Sequence, residues 1–103
     1  MAQANPSEAQ LEENRKRSLM VVIINSLPEV PTFAITFRQL LSRVRTVDFP
    51  YYRNQLHSAF IDLSKGFVHK DNLYRIGVIA ESNTCWFWSG YHARYYIMRT
   101  SIA

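Results

Sequence analysis

The chain has 103 residues, of which 48% are hydrophobic and 19% charged, and it carries a net charge of +4. This length suits one compact domain, and this composition excludes a disordered chain. A single cysteine, Cys85, excludes an internal disulfide, and the apolar run over 19–24 is too short to span a bilayer. We therefore expect a cytoplasmic protein with no membrane contact, in which one domain spans residues 7–103 behind a disordered tail, 1–6.

The first predicted element is a helix that begins after Ser7 and ends before Pro28. Ser7 is a good N-cap, and Gln10 follows three residues later, as in a capping box. The β-branched run 21–24 also suits a strand, but the polar helix formers upstream favour a helix. Its apolar face consists of Leu19, Met20, Ile23, Ile24 and Leu27.

A short strand and a second helix follow. Polar and apolar residues alternate over 32–36, which predicts the strand. Thr36 is also the cap of a helix from Phe37 to Arg45, and Gln39 completes a second capping box. The inner stripe of this helix consists of Phe37, Leu40, Leu41 and Val44.

The third predicted helix begins near Asp48 and ends at Lys65. Asp48 is a good cap, and Pro50 lies in the first turn, where its missing N–H costs nothing. Gly66 suits the left-handed backbone that ends many helices. The buried face of this helix is predicted to consist of Phe49, Tyr52, Leu56, Phe60 and Leu63.

Beyond the third helix the hydrophobic period becomes two, which predicts a β-ribbon. The predicted elements are, in order, strand 67–70, turn 71–72, strand 73–79, turn 81–83 and strand 84–88. The last segment, 94–100, suits either a strand or a short helix.

Positive charge is concentrated in the middle of the chain. From Thr36 to Arg75 seven cations face three acids, and this stretch carries the whole excess of +4. The cations are Arg38, Arg43, Arg45, Arg53, Lys65, Lys70 and Arg75. A compact basic segment suits a polyanionic partner, because each neutralised phosphate releases counterions. On charge alone, a solvated basic face is an equal alternative.

Between Phe33 and Arg75 the chain resembles the winged helix-turn-helix family of DNA-binding domains. The resemblance is carried by the strand 33–35 leading into 36–41, and by the segment 56–68. The end of that segment, Leu-Ser-Lys-Gly-Phe-Val, is similar to the end of a recognition helix entering the wing. The break over 46–49 lacks the glycine frequent in such turns, and the wing tip falls at 71–72 or at 81–83. The resemblance implies an α+β fold, a small winged helix-turn-helix with three helices, a short sheet and an aromatic C-terminal extension.

The resemblance also implies sequence-specific binding to double-stranded DNA by a small transcriptional regulator, with the third helix in the major groove. The implied base-contact residues are Tyr51, Arg53, Asn54 and His57. The implied phosphate-contact residues are Arg38, Arg43, Arg45, Lys65, Lys70 and Arg75. Core packing is the alternative for Tyr51, and a plain surface position is the alternative for His57.

Aromatic residues are concentrated near the C-terminus. A strand has two faces and a three-helix core needs only one, so the other suits a partner. The interface candidates are Trp86, Trp88, Tyr91, Tyr95 and Tyr96. They predict a homodimer, which would contact paired half-sites in DNA. The alternatives are burial of both faces by the first helix, a module that binds another protein, and binding of single strands by the aromatics.

The sequence holds few groups suited to catalysis or metal binding. The soft ligands are His57, His69, His92 and Cys85, and none falls at a local spacing typical of zinc sites. The three glycines are scattered and form no phosphate loop. We therefore expect no enzyme, no cofactor and no metal site.

Overall fold

A computed structural model describes residues 7–44, 53–80 and 93–103. The elements are α1 (Glu8–Ser26), a 3₁₀ helix (Pro31–Phe33), α2 (Phe37–Arg43), α3 (Arg53–Ser64), β1 (Phe67–His69), β2 (Asn72–Ala80) and β3 (Ala93–Ser101). The strands form one antiparallel sheet in the order β1-β2-β3. Within these ranges, three α-helices and a three-stranded sheet make a small α+β domain with a winged-helix-like layout, as predicted. The tail expected over 1–6 lies outside the described residues.

The first helix follows the predicted bounds. The hydroxyl oxygen of Ser7 accepts a hydrogen bond from the backbone N–H of Gln10 at 3.1 Å, which satisfies a donor that the first turn leaves free. All five residues of the predicted apolar face are buried. The helix ends at Ser26, before Pro28.

The second helix has the predicted capping box. The hydroxyl oxygen of Thr36 accepts from the N–H of Gln39 at 3.1 Å, and the side-chain oxygen of Gln39 accepts from the N–H of Thr36 at 2.9 Å. The helix ends at Arg43, two residues earlier than predicted, with Val44 as its C-cap. Leu40 and Val44 are buried, and the other two members of the inner stripe pack partly against the core.

The strand predicted over 32–36 is wrong. Pro31 begins a 3₁₀ turn instead, because its fixed φ and missing N–H suit a first helical position. Phe33 in this turn is 68% exposed. Only Ile35 pairs with the sheet, through two backbone hydrogen bonds to Tyr95 of 2.6 and 3.0 Å. The segment before α2 thus covers part of the free edge of β3.

The third helix is buried along one side by Leu56, Ala59, Phe60 and Leu63. Its predicted start at Asp48 and Pro50, and the predicted core residues Phe49 and Tyr52, lie outside the described residues. Its end is confirmed. Gly66 has a φ of +114°, a conformation that favours glycine, and its N–H donates to the carbonyl of Leu63 at 3.0 Å.

The turn between β1 and β2 lies one residue earlier than predicted. Lys70 and Asp71 form a two-residue loop, with φ values of +48° and +66°, and Asn72 already pairs with His69 in the sheet. Positive φ at both positions is what the right-handed twist of a tight hairpin demands. The other predicted turn, 81–83, and the strand 84–88 lie outside the described residues.

The last segment is a strand, and it belongs to the core. β3 pairs with β2 over nine residues, and its alternate residues Ala93, Tyr95 and Ile97 are buried. The Tyr95 ring is 1% exposed and meets Phe60 edge to face at 4.8 Å. The prediction of Tyr95 as an interface residue is therefore wrong, because its side chain lies in the core. Neighbouring residues of a strand point to opposite faces, so Tyr95 and Tyr96 cannot share a surface.

Candidate nucleic-acid interface

The polar side of α3 lies open to solvent. Arg53, Asn54 and His57 are all exposed, and they lie beside the buried face of the helix. Residues three and four apart share a helix face, so these three side chains form one surface. We call Arg53, Asn54 and His57 the α3 ridge. Three of the four predicted base-contact residues are thereby brought together, and the fourth, Tyr51, lies outside the described residues.

The ridge rests on α2 at one point. The His57 ring meets the Phe37 ring edge to face at 5.8 Å, and Phe37 in turn meets Phe60 in the core at 5.4 Å. The side chains of Arg53 and Asn54 make no hydrogen bond or ion pair to another described residue. The polar groups of both therefore remain able to bind a ligand.

The single acid in the described part of α3 is paired. Lys16 of α1 donates to Asp62 at 2.9 Å, with side chains 27% and 36% exposed. This hydrogen bond, followed by Coulombic attraction, raises the pKa of Lys16 against the opposing effect of desolvation. The pair joins α1 to α3 and offsets the negative charge that Asp62 would present to a polyanion.

Sequence reasoning missed Arg15 of α1. A shallow, open depression lies between α1 and α3. It is lined by Glu12, Arg15, Lys16, Leu19, Gln55 and Ser58. Arg15 precedes the buried Leu19 by four residues, so the two share a helix face. That spacing is the signal by which the sequence could have placed Arg15 beside α3.

The predicted phosphate-contact residues on α2 differ from one another. Arg38 is exposed, one residue after the Phe37 that touches the ridge. Arg43 donates to the carbonyl of Ser26 at 3.0 Å, and so binds the last turn of α1. Arg43 therefore has a structural role that the sequence did not indicate. Arg45 lies outside the described residues.

The remaining predicted phosphate-contact residues lie towards the other end of α3. Lys65 follows Asn54 by eleven residues, or about 16 Å of helix, on nearly the same side. Lys70 is exposed in the tight turn after β1. The side chain of Arg75 lies over Gly66, with Nε 3.4 Å from where a Cβ would be. Lys65, Lys70 and Arg75 are thus separate from the ridge, at or beyond the C-terminal end of α3.

Of the predicted partner-interface residues, Tyr96 alone is described and accessible. It is half-buried on the sheet face that points away from the helices. Trp86, Trp88 and Tyr91 lie outside the described residues.

The part of the chain that the structure describes contains neither a cluster of metal ligands nor a helix that could span a membrane. Over 7–44, 53–80 and 93–103 no three His, Cys, Asp or Glu side chains are grouped to hold a metal ion. No helix in the same ranges is sufficiently long and apolar to cross a bilayer.

Comparison with known proteins assigns no family. No protein-family model, no curated protein and no solved structure matches the chain. The function is therefore argued from the geometry of the α3 ridge and its surroundings.

Proposed function

We propose that the protein binds double-stranded DNA through the α3 ridge and acts as a small cytoplasmic transcriptional regulator. One observation carries the proposal. Arg53, Asn54 and His57 are exposed together on a helix that is anchored in the core by four buried residues, Leu56, Ala59, Phe60 and Leu63. A helix held in this way can enter a groove without losing its packing.

The chemistry of the ridge suits the edges of base pairs. The major groove is wide enough to admit an α-helix, and each base pair shows a distinct pattern of donors and acceptors there. The Arg53 guanidinium can donate twice to guanine, and the Asn54 amide can pair twice with adenine. Each such pair contributes about 1–3 kcal/mol of discrimination against the wrong base.

Cations near the ridge would hold the phosphate backbone. Arg38 on α2 and Arg15 on α1 lie on the two helices that flank α3, and Lys65 lies at its far end. Phosphate contacts fix orientation and carry no sequence information. These residues therefore contribute to the affinity and the salt dependence of binding, and the ridge contributes the specificity.

A homodimer is part of the proposal. One ridge of three side chains spans only a few base pairs, and two copies would contact paired half-sites about one helical turn, roughly 34 Å, apart. Sedimentation velocity of the protein with and without a two-site duplex tests this. A complex of one chain per duplex would contradict the dimer and leave the ridge in place.

Fluorescence anisotropy with a labelled random-sequence duplex tests DNA binding itself. We expect binding at about 50 mM salt that weakens steeply towards 200 mM, because phosphate contacts release counterions. No binding at the lower salt would contradict the proposed function.

Matched variants assign the binding to the ridge. Arg53→Ala and Asn54→Ala should each weaken binding by about 1–3 kcal/mol, measured with a duplex selected for tight binding to the parent protein. Arg99→Ala removes the same charge from β3, where Arg99 pairs with Glu29 at 3.1 Å, and Asn25→Ala truncates an exposed amide on α1. Equal losses in the ridge variants and in these controls would contradict the assignment.

A further inference from the structure

The sheet has a face that no described helix covers. Alternation along the strands divides the sheet into an inner face, which packs on the helices, and an outer face. The outer face consists of Val68, Leu73, Arg75, Gly77, Ile79, Arg94, Tyr96, Met98 and Thr100. We call these residues the outer sheet face. Val68, Ile79 and Met98 are among the exposed large hydrophobic residues of the protein.

An aromatic ring lies flat on this face. Tyr96 is directly opposite Gly77, and a Cβ on Gly77 would come within 3 Å of three atoms of the ring, Cζ, Cε1 and Cε2. These three distances are similar, so the flat side of the ring, rather than its edge, covers the glycine. The opposite side of the ring points away from the sheet. Gly77 thus provides the space that lets Tyr96 present a π-surface.

The charge of the outer sheet face is positive. Arg75 is exposed on β2, opposite Met98, and Met98 follows Tyr96 by two residues on β3. No acidic residue occurs on the face as described, and Arg75 forms no ion pair with a described carboxylate. An anionic partner with planar apolar groups complements this surface.

We propose that the outer sheet face binds single-stranded nucleic acid, with one base stacked on Tyr96 and a phosphate beside Arg75. Every base has a π-face, so stacking on tyrosine tolerates any sequence, and a cation beside the ring can bind the backbone. A base pair in a duplex does not expose its π-faces, so duplex DNA cannot make this contact. The site uses no residue of the α3 ridge and does not rest on the proposed function.

Anisotropy with a labelled oligothymidylate of about twelve nucleotides tests the site in the full-length protein. We expect binding at roughly 50 mM salt. Tyr96→Leu keeps apolar cover over Gly77 but removes the ring, and should weaken binding about tenfold. Tyr96→Phe keeps the ring and should bind within about twofold of the parent. No binding by the parent, or equal binding by the leucine variant, overturns the proposal.

A second variant keeps the test decisive if Tyr96→Leu does not fold. Arg75→Gln should reduce the slope of log affinity against log salt by about 0.7, the value for one phosphate contact on a single strand. An unchanged slope overturns the proposed backbone contact. Arg99→Gln is the control for lost charge.

The same binding assay distinguishes single-stranded nucleic acid from other possible partners of the outer sheet face. An abasic strand of equal length and charge should bind about tenfold more weakly than the oligothymidylate, because it has no base to stack. Equal binding of the abasic strand, or equally effective competition by polyglutamate, overturns stacking in favour of a general acidic partner. If Tyr96→Leu changes the oligomeric state of the protein and leaves oligothymidylate binding unchanged, the proposal is overturned. The outer sheet face is then a contact between two copies of the chain. Asn54→Ala should leave oligothymidylate binding unchanged, so this proposal and the proposed function can fail separately.

Discussion

The α3 ridge and the outer sheet face are both basic surfaces, yet they expose different chemistry. The ridge is convex and polar, with Arg53 and Asn54 exposed on a helix that is buried along one side. The outer sheet face is flat and largely apolar, with Tyr96 lying across Gly77. Net charge predicts a polyanionic partner for both and does not separate them. Shape and polarity do, because a duplex offers polar base edges in a groove and a single strand offers exposed rings.

Both surfaces depend on one core, and we expect the largest effect from a substitution in that core. The Phe60 ring lies between the Phe37 ring at 5.4 Å and the Tyr95 ring at 4.8 Å, and so connects α2, α3 and β3. Phe60→Ala should reduce the free energy of unfolding by about 3–5 kcal/mol, measured by urea denaturation. Duplex and single-strand binding should be lost together. A loss below about 1 kcal/mol would contradict a shared core.

A glycine substitution separates the two surfaces with a smaller effect. Gly77→Ala places a methyl group where the Tyr96 ring lies, so the ring must lift from the sheet. Overpacking costs about 1–3 kcal/mol, partly offset by the 0.5–1 kcal/mol that alanine gains over glycine, so we expect a net loss of about 1 kcal/mol. Duplex binding through the ridge should not change.

A double variant is the control for this effect. In a Tyr96→Ser background the ring is absent, and Gly77→Ala should then be neutral or stabilising. Thermal denaturation of the four proteins gives the coupling energy. A stabilising effect of Gly77→Ala in the parent would show that Tyr96 does not rest on Gly77.

The smallest effect concerns the ion pair beside the ridge. The hydrogen bond to Asp62 raises the pKa of Lys16 above its ordinary value of 10.5. Because the folded pKa is higher than the unfolded one, the stabilisation is fully present below pH 10.5 and disappears as the pH rises through the folded pKa. Exposure limits the contribution to at most about 1 kcal/mol.

Lys16→Met tests this pair. The variant should lose up to about 1 kcal/mol at neutral pH and should have a flatter stability profile than the parent above pH 10.5. Glu29→Gln is the matched control, because the Glu29–Arg99 side chains are 58% and 50% exposed and solvent screens them more. A larger effect of the Glu29 variant would contradict the assigned role of Lys16.

Local signals in the sequence predicted the helices well. Ser7 and Thr36 mark helix starts because their side chains satisfy free backbone N–H groups, and Gly66 marks an end because of its positive φ. These interactions involve residues within four positions of each other. The basic character of the middle of the chain and the exposure of the ridge also followed from composition and helical spacing.

Features that depend on distant residues were predicted less well. The strand expected over 32–36 became a 3₁₀ turn because only Ile35 meets β3. To predict the burial of Tyr95, one must know which face of β3 meets Phe60. Alternation along a strand nevertheless already excludes Tyr95 and Tyr96 from one surface. The structural role of Arg43 depends on where α1 ends, which spacing within α2 does not reveal.

Backbone amide chemical shifts during titration with each nucleic acid test the central claim most directly. With duplex DNA, we predict that the amides of Arg53, Asn54 and His57 shift, while those of Arg94 and Tyr96 stay in place. With oligothymidylate, the pattern should be reversed. Duplex-induced shifts centred on β3, with none along the exposed side of α3, would contradict the proposed role of the ridge.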